Sequence, residues 1–427
     1  MKVLWLSSAN TLSDEKGDRA YNGKGWIASL QEAVCSTGKD IGLAVAFLSS
    51  EGDSPVSRLD KDGVTYYRIR KRSPGGVKKL IGNWTGFFAE NYDSEIKHIA
   101  DDFSPDIIHL FGCESKLASA IVSISGIPVI THIQGILNEC LESFYPPHIK
   151  DSDFILPQTF FNEAVLMNGF IHLRKDYMRR ARTEKKYLSA LKFAMGRTDW
   201  DRQKTSEYSN AEYFHVDEVL RDEFYAAAGS WSVRDGNSGK PRILSTISET
   251  PYKGLDVIMD CARILKSEGT DVEWDVAGIP SGSHLAEVFG HKYGIDCGTY
   301  GIRLCGVATP AQLVSLMLAS DMFVHPSYID NSPNSVCEAQ MTGMPVIASA
   351  TGGVPTLVRD GDTGLLFPPG DADALAGRIL QIAAAPRLAV RLGKQAAETA
   401  ARRHDRTRIV SDLMAVYRQS VADYSRI

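Results

Sequence analysis

The residues best suited to chemistry lie in HPSYIDNSPNSVCEAQMTGMPVIASATGGVPTLVRDGDTGLLFPPGD, residues 325–371. Two carboxylates, Asp330 and Glu338, stand there with seven residues between them. A Ser/Asn/Pro turn separates them, and Pro333 and Asn334 are good residues with which to start a helix. The short apolar run 322–325 before them reads as a strand. A helix beginning near Ser335 aims unpaired N–H groups and the positive end of its dipole above the sheet, which suits a bound diphosphate. The spacing predicts Glu338 in the first helical turn, where its carboxylate can accept two hydrogen bonds from a ribose cis-diol. Asp330, on the loop, is placed to hold sugar hydroxyls. Each residue alone also has a plainer reading: Asp330 caps a turn, and Glu338 suits the positive end of a helix.

Elements must position these groups. The chain has 427 residues, too many for one ordinary core, so two domains are expected. Short apolar runs at 3–7, 41–47, 106–111 and 127–131 alternate with helical spacing at 26–34 and around 117–124. That alternation predicts a parallel sheet covered on both faces. Residues 136–170, rich in aromatics, Pro and acids, break it and read as an insertion or short helices over a cleft. A basic helix follows at 174–192. Residues 226–240 are small, polar and Gly/Ser-rich, the best linker in the chain. Strands at 243–247, 273–277, 302–305 and 322–325, with helices at 254–266 and 310–318, then repeat the plan. Two such domains put a ligand cleft between them, at the carboxyl ends of their strands.

Composition removes other classes. A net charge of −5 lacks the electrostatic footprint of a nucleic-acid partner. No apolar run is long enough to span a bilayer, and the first ten residues read as strand and turn rather than signal peptide. Seven Cys are scattered without CxxC or metal-ligand spacing, as reduced thiols in a cytoplasmic protein would be.

Residues 241–417 resemble the retaining nucleotide-sugar glycosyltransferases of glycosyltransferase family 4, which have the GT-B fold. That family carries a Glu, seven residues and a second Glu, then Ala, Gly, Pro-Val and a Gly-Gly turn. Here these are Asp330, Glu338, Ala339, Gly343, Pro345-Val346 and Gly352-Gly353. The strand into the site (319–327), the segment 303–307 with its Gly306, which resembles the strand that ends beside the nucleobase, and the run from Gly361 to Asp371 are also in the family's style. The resemblance implies that Glu338 binds ribose, Asp330 the transferred sugar, and the backbone of Asn334, Ser335 and Val336 the diphosphate. It puts Lys253 where the family's phosphate-neutralising lysine stands, and a cation there would stabilise a leaving nucleoside diphosphate. Three departures stand out: Asp330 is one methylene shorter than Glu, no Arg occurs in 245–250, and Thr356 stands where a Glu is common.

In the first half, the loop 20–25 precedes a helix, and its Gly23 and Gly25 let backbone approach a phosphate. It resembles the family's glycine-rich loop, which closes on the donor diphosphate. A plain turn is the competing reading. His132, at the carboxyl end of a strand, matches a histidine common in the family near the donor sugar. Glu114 offers an acceptor-side carboxylate, or simply a loop acid. Arg197 or Arg202 is the candidate for the absent phosphate cation. Two basic stretches, 68–79 with Trp84, Phe87 and Phe88 after it, and 174–186, either solvate a face or dock on an anionic membrane.

The expectation is therefore an α/β GT-B protein of two Rossmann-like, doubly wound domains facing across a cleft. Residues 1–225 form the acceptor domain, 226–240 the linker and 241–404 the donor domain, with 405–427 a helix returning to the first. The expected reaction moves a sugar from a nucleoside diphosphate sugar to a hydroxyl of a glycan or lipid-linked acceptor, with retention, in surface polysaccharide or glycoconjugate synthesis. No cofactor and no metal are expected, and the location would be cytoplasmic, with peripheral contact at the inner membrane face. Competing readings are a nucleotide-sugar epimerase and a nucleotide-sugar-binding protein with weakened chemistry.

Overall fold

Among the described residues, fourteen strands, all but one of them parallel to their neighbours, build two sheets. The structure, a computed structural model, describes residues 1–8, 10–12, 25–37, 41–51, 54–72, 81–82, 84, 91–234 and 239–426. The first sheet contains β1 (Lys2–Ser7), β2 (Gly42–Ser49), β3 (Val56–Lys61), β4 (Val64–Arg70), β5 (Ile107–Phe111), β6 (Val129–His132), β7 (Phe193–Gly196) and β8 (Glu212–His215). Their order is β3-β4-β2-β1-β5-β6-β7-β8, and only β3 runs antiparallel. The second contains β9 (Arg242–Thr246), β10 (Glu273–Ala277), β11 (Ile302–Gly306), β12 (Met322–His325), β13 (Val346–Ser349) and β14 (Leu365–Phe367). Its order, β11-β10-β9-β12-β13-β14, is the doubly wound dinucleotide-binding order, with the switch point between β9 and β12.

The apolar runs are continuous because both sheet faces are covered. In β1, Val3 and Trp5 join the core on one face, and Leu4 and Leu6 join the core on the other. The first of these faces is closed by the helix Trp26–Thr37 and by the C-terminal helix Arg406–Tyr424. Tyr417 of that last helix accepts a hydrogen bond from Trp5 Nε1 (3.0 Å) and lies 2.6 Å from His109 Nδ1. The chain's end is thus fastened under the first sheet.

Several features differ from the sequence reading. The hairpin β3–β4 replaces what looked like the start of a basic stretch, and its signal was Asp62-Gly63, both with positive φ. The expected helix around 117–124 is a single turn, Ala120–Ser123. Leu220, Phe224 and Trp231 pack in the second core, while Tyr225 also packs against the first. The expected linker is docked from its start. Gly229 and Trp231 donate backbone N–H bonds to Met341 and Thr342 carbonyls, both 2.9 Å, and Trp231 Nε1 reaches Ser320 O. Large apolar side chains in a segment otherwise small and polar explain why it packs. The insertion 136–170 also crosses: Phe154 and Phe170 join the second core.

Candidate active site

At the switch point two loops converge. The chain leaves β9 and makes a short 3₁₀ turn, Pro251–Lys253, ending at Gly254 with φ +81°. A Cβ at Gly254 would lie 2.3 Å from the carbonyl oxygen of Pro326, so only glycine allows the two loops to touch. Tyr328 N–H donates to Tyr252 O at 2.9 Å and completes the junction. Lys253 Nζ is thereby held 2.6 Å from Asp330 Oδ2, and His325 Nε2 lies 3.3 Å from the same oxygen. Burial works against the charged carboxyl of Asp330, but the ammonium of Lys253 and the His325 ring outweigh it and hold it well below the usual carboxylate range. Lys253 is likewise raised: its burial is more than offset by Asp330.

After Asp330 the chain turns through Pro333 into the helix Asn334–Thr342. Val336 N–H is already bonded to Pro333 O at 3.0 Å, so it is not free for a phosphate as expected. The N–H groups of Asn334 and Ser335, and the Asn334 Oδ1, have no partner among the described residues. Glu338 falls in the second turn rather than the first. It is 3% exposed, and both carboxylate oxygens accept from Arg221, each at 2.8 Å. Burial raises its pKa and Arg221 opposes that shift.

A cavity of about 240 Å³ lies between the domains. Lys253, Asp330 and Asn331 line it from the second, and Glu114, Gln134, Tyr177 and Trp200 from the first. Asn331 closes its floor. Its amide donates to Gln134 O (3.3 Å) and Asp201 Oδ2 (3.1 Å), and its oxygen accepts from Thr198 Oγ1 (2.6 Å). Thr356 Oγ1 accepts from Asp199 N–H at 3.1 Å, so the departure at Thr356 joins the domains rather than changing only its own surroundings. The Gly-Gly turn permits this approach: a Cβ on Gly353 would meet Thr198 Oγ1 at 2.6 Å and Asn331 O at 2.1 Å. A larger cavity, about 400 Å³, lies at the amino ends of β9, β10 and β11. Its wall charges are paired with one another, Arg242 with Glu273 and Arg303 with Asp275. Ligands of such sheets bind at the carboxyl ends instead.

Other expected residues are placed differently. His132 ends β6 but is fully buried, 4.9 Å from Trp26 and stacked on His109 and Phe111. Gln134 and Gly135, a few residues on, line the cavity, and His132 is not among its lining residues. Burial keeps it neutral, well below the ordinary histidine range. Arg197 is not an open phosphate cation. Its guanidinium lies 4.8 Å over the Trp26 ring and 4.0 Å from Glu218 Oε2, with the side chain 4% exposed. Arg202 stacks on Tyr213. Gly306 ends β11 with φ +69° and bonds to Ile279 and Gly278 across the strand ends. Gly25 is exposed, and its carbonyl accepts from Ala28 N–H at the start of the helix. Gly23 lies outside the described residues.

Sequence reasoning missed the segment 218–221 that grips the helix Asn334–Thr342. Glu218 accepts from Cys337 Sγ (3.1 Å) and Ser332 Oγ (3.2 Å), while Arg221 holds Glu338. Arg403 Nε is 3.4 Å from Glu218, and His404 Nδ1 bonds its carbonyl oxygen at 2.9 Å. Glu218, Cys337 and His404 bring ligating atoms within 4.8 Å of one another. Yet the carboxylate is already engaged by a guanidinium, a thiol and a hydroxyl, which is the donor set of a buried ion pair. No short motif announces these residues.

Glu114, read from the sequence as an acceptor-side carboxylate or a loop acid, faces the cavity with Lys253 and Asp330. Its Oε2 is buried without a partner among the described residues, and burial pushes its carboxyl up to about 8. A carboxyl raised from 4.5 to about 8 keeps a proton in the folded chain that the unfolded chain has released. Its contribution therefore falls as pH rises between those values. Glu114→Gln should melt progressively higher relative to the parent as pH goes from 5 to 9. An unchanging difference in melting temperature would contradict this.

Comparison with known proteins bears on the same region. Residues 233–399 match the family model described as glycosyl transferases group 1. The amylovoran biosynthesis glycosyltransferase AmsK of Erwinia amylovora is 30% identical over 157 residues, 35% of this chain and 38% of the relative. A D-inositol 3-phosphate glycosyltransferase of Mycobacterium avium is 36% identical over 183 residues, 41% of each. The matches thus span about two fifths of these relatives' length. Over the whole chain the fold is GT-B. Sucrose-phosphate synthase of Thermosynechococcus elongatus superposes with a TM-score of 0.70 at 18% identity, covering 99% of both chains. Anabaena HepE, solved with UDP and glucose, superposes at 0.62 with 14% identity, covering 97% of this chain and 98% of that one. At such identities the likeness is one of fold.

Proposed function

We propose that this protein is a glycosyltransferase that moves a sugar from a nucleoside diphosphate sugar to a hydroxyl of a glycan or lipid-linked acceptor. The observation that carries this reading is the Lys253–Asp330 pair, held at the switch point beside the helix N-terminus at Asn334 and Ser335, on the wall of the interdomain cavity. In this reading the diphosphate takes the ammonium of Lys253 and the two free N–H groups, and Asp330 turns to the sugar hydroxyls. Glu338, oriented by Arg221, accepts ribose hydroxyls through the lone pairs that Arg221 leaves. HepE, with the same fold, was solved with UDP-glucose, which supports a donor of this class. Nucleotide-sized ligands ordinarily occupy about 300 Å³ or more, so entry requires the Asn331 and Thr356 contacts between domains to part.

The anomeric configuration is retained in this account. The acceptor oxygen bonds to the anomeric carbon on the face from which the phosphate departs. The carbon–oxygen bond to the diphosphate breaks, its electron pair stays on the leaving phosphate, and that oxygen takes the acceptor's proton. Charge on the leaving group is met by Lys253 and the helix N-terminus, so no metal is needed. Turnover should therefore persist in excess EDTA. Loss in EDTA that a divalent ion restores would contradict this. The proposed setting is surface polysaccharide or glycoconjugate synthesis on the cytoplasmic side; no described helix is long and apolar enough to cross a membrane. The reading is tested by incubating the protein with a panel of nucleotide sugars and following nucleotide release.

A further inference from the structure

The helix Phe170–Ser189 presents two unlike faces. On one, Tyr177 lines the cavity, Arg180 donates to Glu114 O at 2.7 Å, and Ala181, Glu184 and Leu188 are buried. On the other, Lys175, Met178, Arg182, Lys185 and Lys186 are exposed, at the three- and four-residue intervals that make a single stripe. None of these four cations forms an ion pair with a described residue, in a chain whose net charge is −5. The acidic residues of the helix are turned elsewhere: Asp176 pairs with Arg179 and Arg180, and Glu184 bonds Leu137 and Asn138 backbone N–H groups.

Aromatic side chains flank the amino end of this stripe. Phe160 is 52% exposed, Phe161 61% and Trp84 54%. They are fixed in place. Buried Glu163, in the turn Phe161–Val165, accepts from the N–H groups of Phe170 (2.8 Å) and Ile171 (3.0 Å), so its carboxylate caps the basic helix and ties the aromatic turn to it. Trp84 Nε1 donates to Val165 O at 3.0 Å, and Lys175 Nζ lies 5.9 Å above the Trp84 ring. Exposed aromatic rings beside cations without a described ion-pair partner fit a surface that is apolar below and anionic above.

We propose that this face docks on an anionic lipid bilayer, with Trp84, Phe160 and Phe161 entering the headgroup region and Lys175, Arg182, Lys185 and Lys186 meeting lipid phosphates. The cavity lies on the other side of the same helix, about 10 Å away, so an acceptor anchored in the bilayer would be delivered next to Glu114 and Tyr177. Docking does not depend on the transfer reaction and is read without turnover.

The experiment is co-sedimentation of the full chain with vesicles of phosphatidylcholine alone and of an equimolar phosphatidylcholine–phosphatidylglycerol mixture, at low and molar salt. Two variants accompany it, one carrying R182E, K185E and K186E and one carrying F160S and F161S. The parent should bind the anionic vesicles at low salt, and high salt or either variant should weaken binding by about tenfold or more. The melting temperatures of the variants, altered only at exposed positions, should match the parent's. Absence of binding at low salt overturns the proposal, as does equal binding by parent and variants. A parent dimer that either variant dissociates, without vesicle binding, would assign the face to a second copy and also overturn it.

Discussion

Arg221→Ala is expected to destabilise the fold by about 3–5 kcal/mol, because it leaves the Glu338 carboxylate buried without its partner. The pair is bidentate, with both contacts at 2.8 Å, and the two side chains are 10% and 4% exposed. Burial already raises the Glu338 carboxyl with Arg221 present. Without the guanidinium, the carboxyl must take up a proton or draw water into the contact between the segment 218–221 and the helix Asn334–Thr342. Replacing both residues by Met removes both charges and should recover most of the loss. Denaturant midpoints of the parent, the single and the double variant give the answer. A single variant within about 1 kcal/mol of the parent would mean that the pair is solvated like a surface bridge.

The second large effect is on turnover. Lys253→Met should lower the rate of nucleotide release by about 10²–10³, the usual consequence of removing one group that meets developing negative charge in a desolvated site. The same change leaves the Asp330 carboxylate buried with only the His325 ring beside it, so lost stability has to be separated from lost chemistry. Combining Lys253→Met with Asp330→Asn removes that unpaired charge, so stability should return while turnover stays low. Recovery of both together would reduce Lys253 to a structural counter-ion.

Much of this architecture was legible because both sheets are buried on both faces. Continuous apolar runs such as VLWL and MFVH leave few alternatives to strands, and the bounds of β10 and β12 agree with the runs read from sequence. The convergence of Lys253 and Asp330 could be anticipated because each follows a strand at the switch point of one sheet. What stayed hidden depends on contacts between distant segments. Arg221 and Glu338 are 117 residues apart, and nothing local marks either as the other's partner. The same holds for Asn331 with Thr198, 133 residues apart. His132 shows the limit of position alone: the end of a strand predicts proximity to the cleft, but ring orientation follows from Trp26, His109 and Phe111 packing around it. The missed hairpin was readable, since Lys61-Asp62-Gly63-Val64 carries a turn dipeptide between alternating residues.

The central claim is that the Lys253–Asp330 junction handles a nucleoside diphosphate sugar. Its most direct test measures nucleotide released from UDP-, GDP-, ADP- and TDP-sugars by the parent and by Asp330→Asn, which keeps the side chain's shape. The parent should hydrolyse one donor slowly without acceptor, and the variant should still melt cooperatively but release that nucleotide about 10²-fold more slowly or worse. Equal release by parent and variant, or no binding of any of these donors by calorimetry, would contradict it.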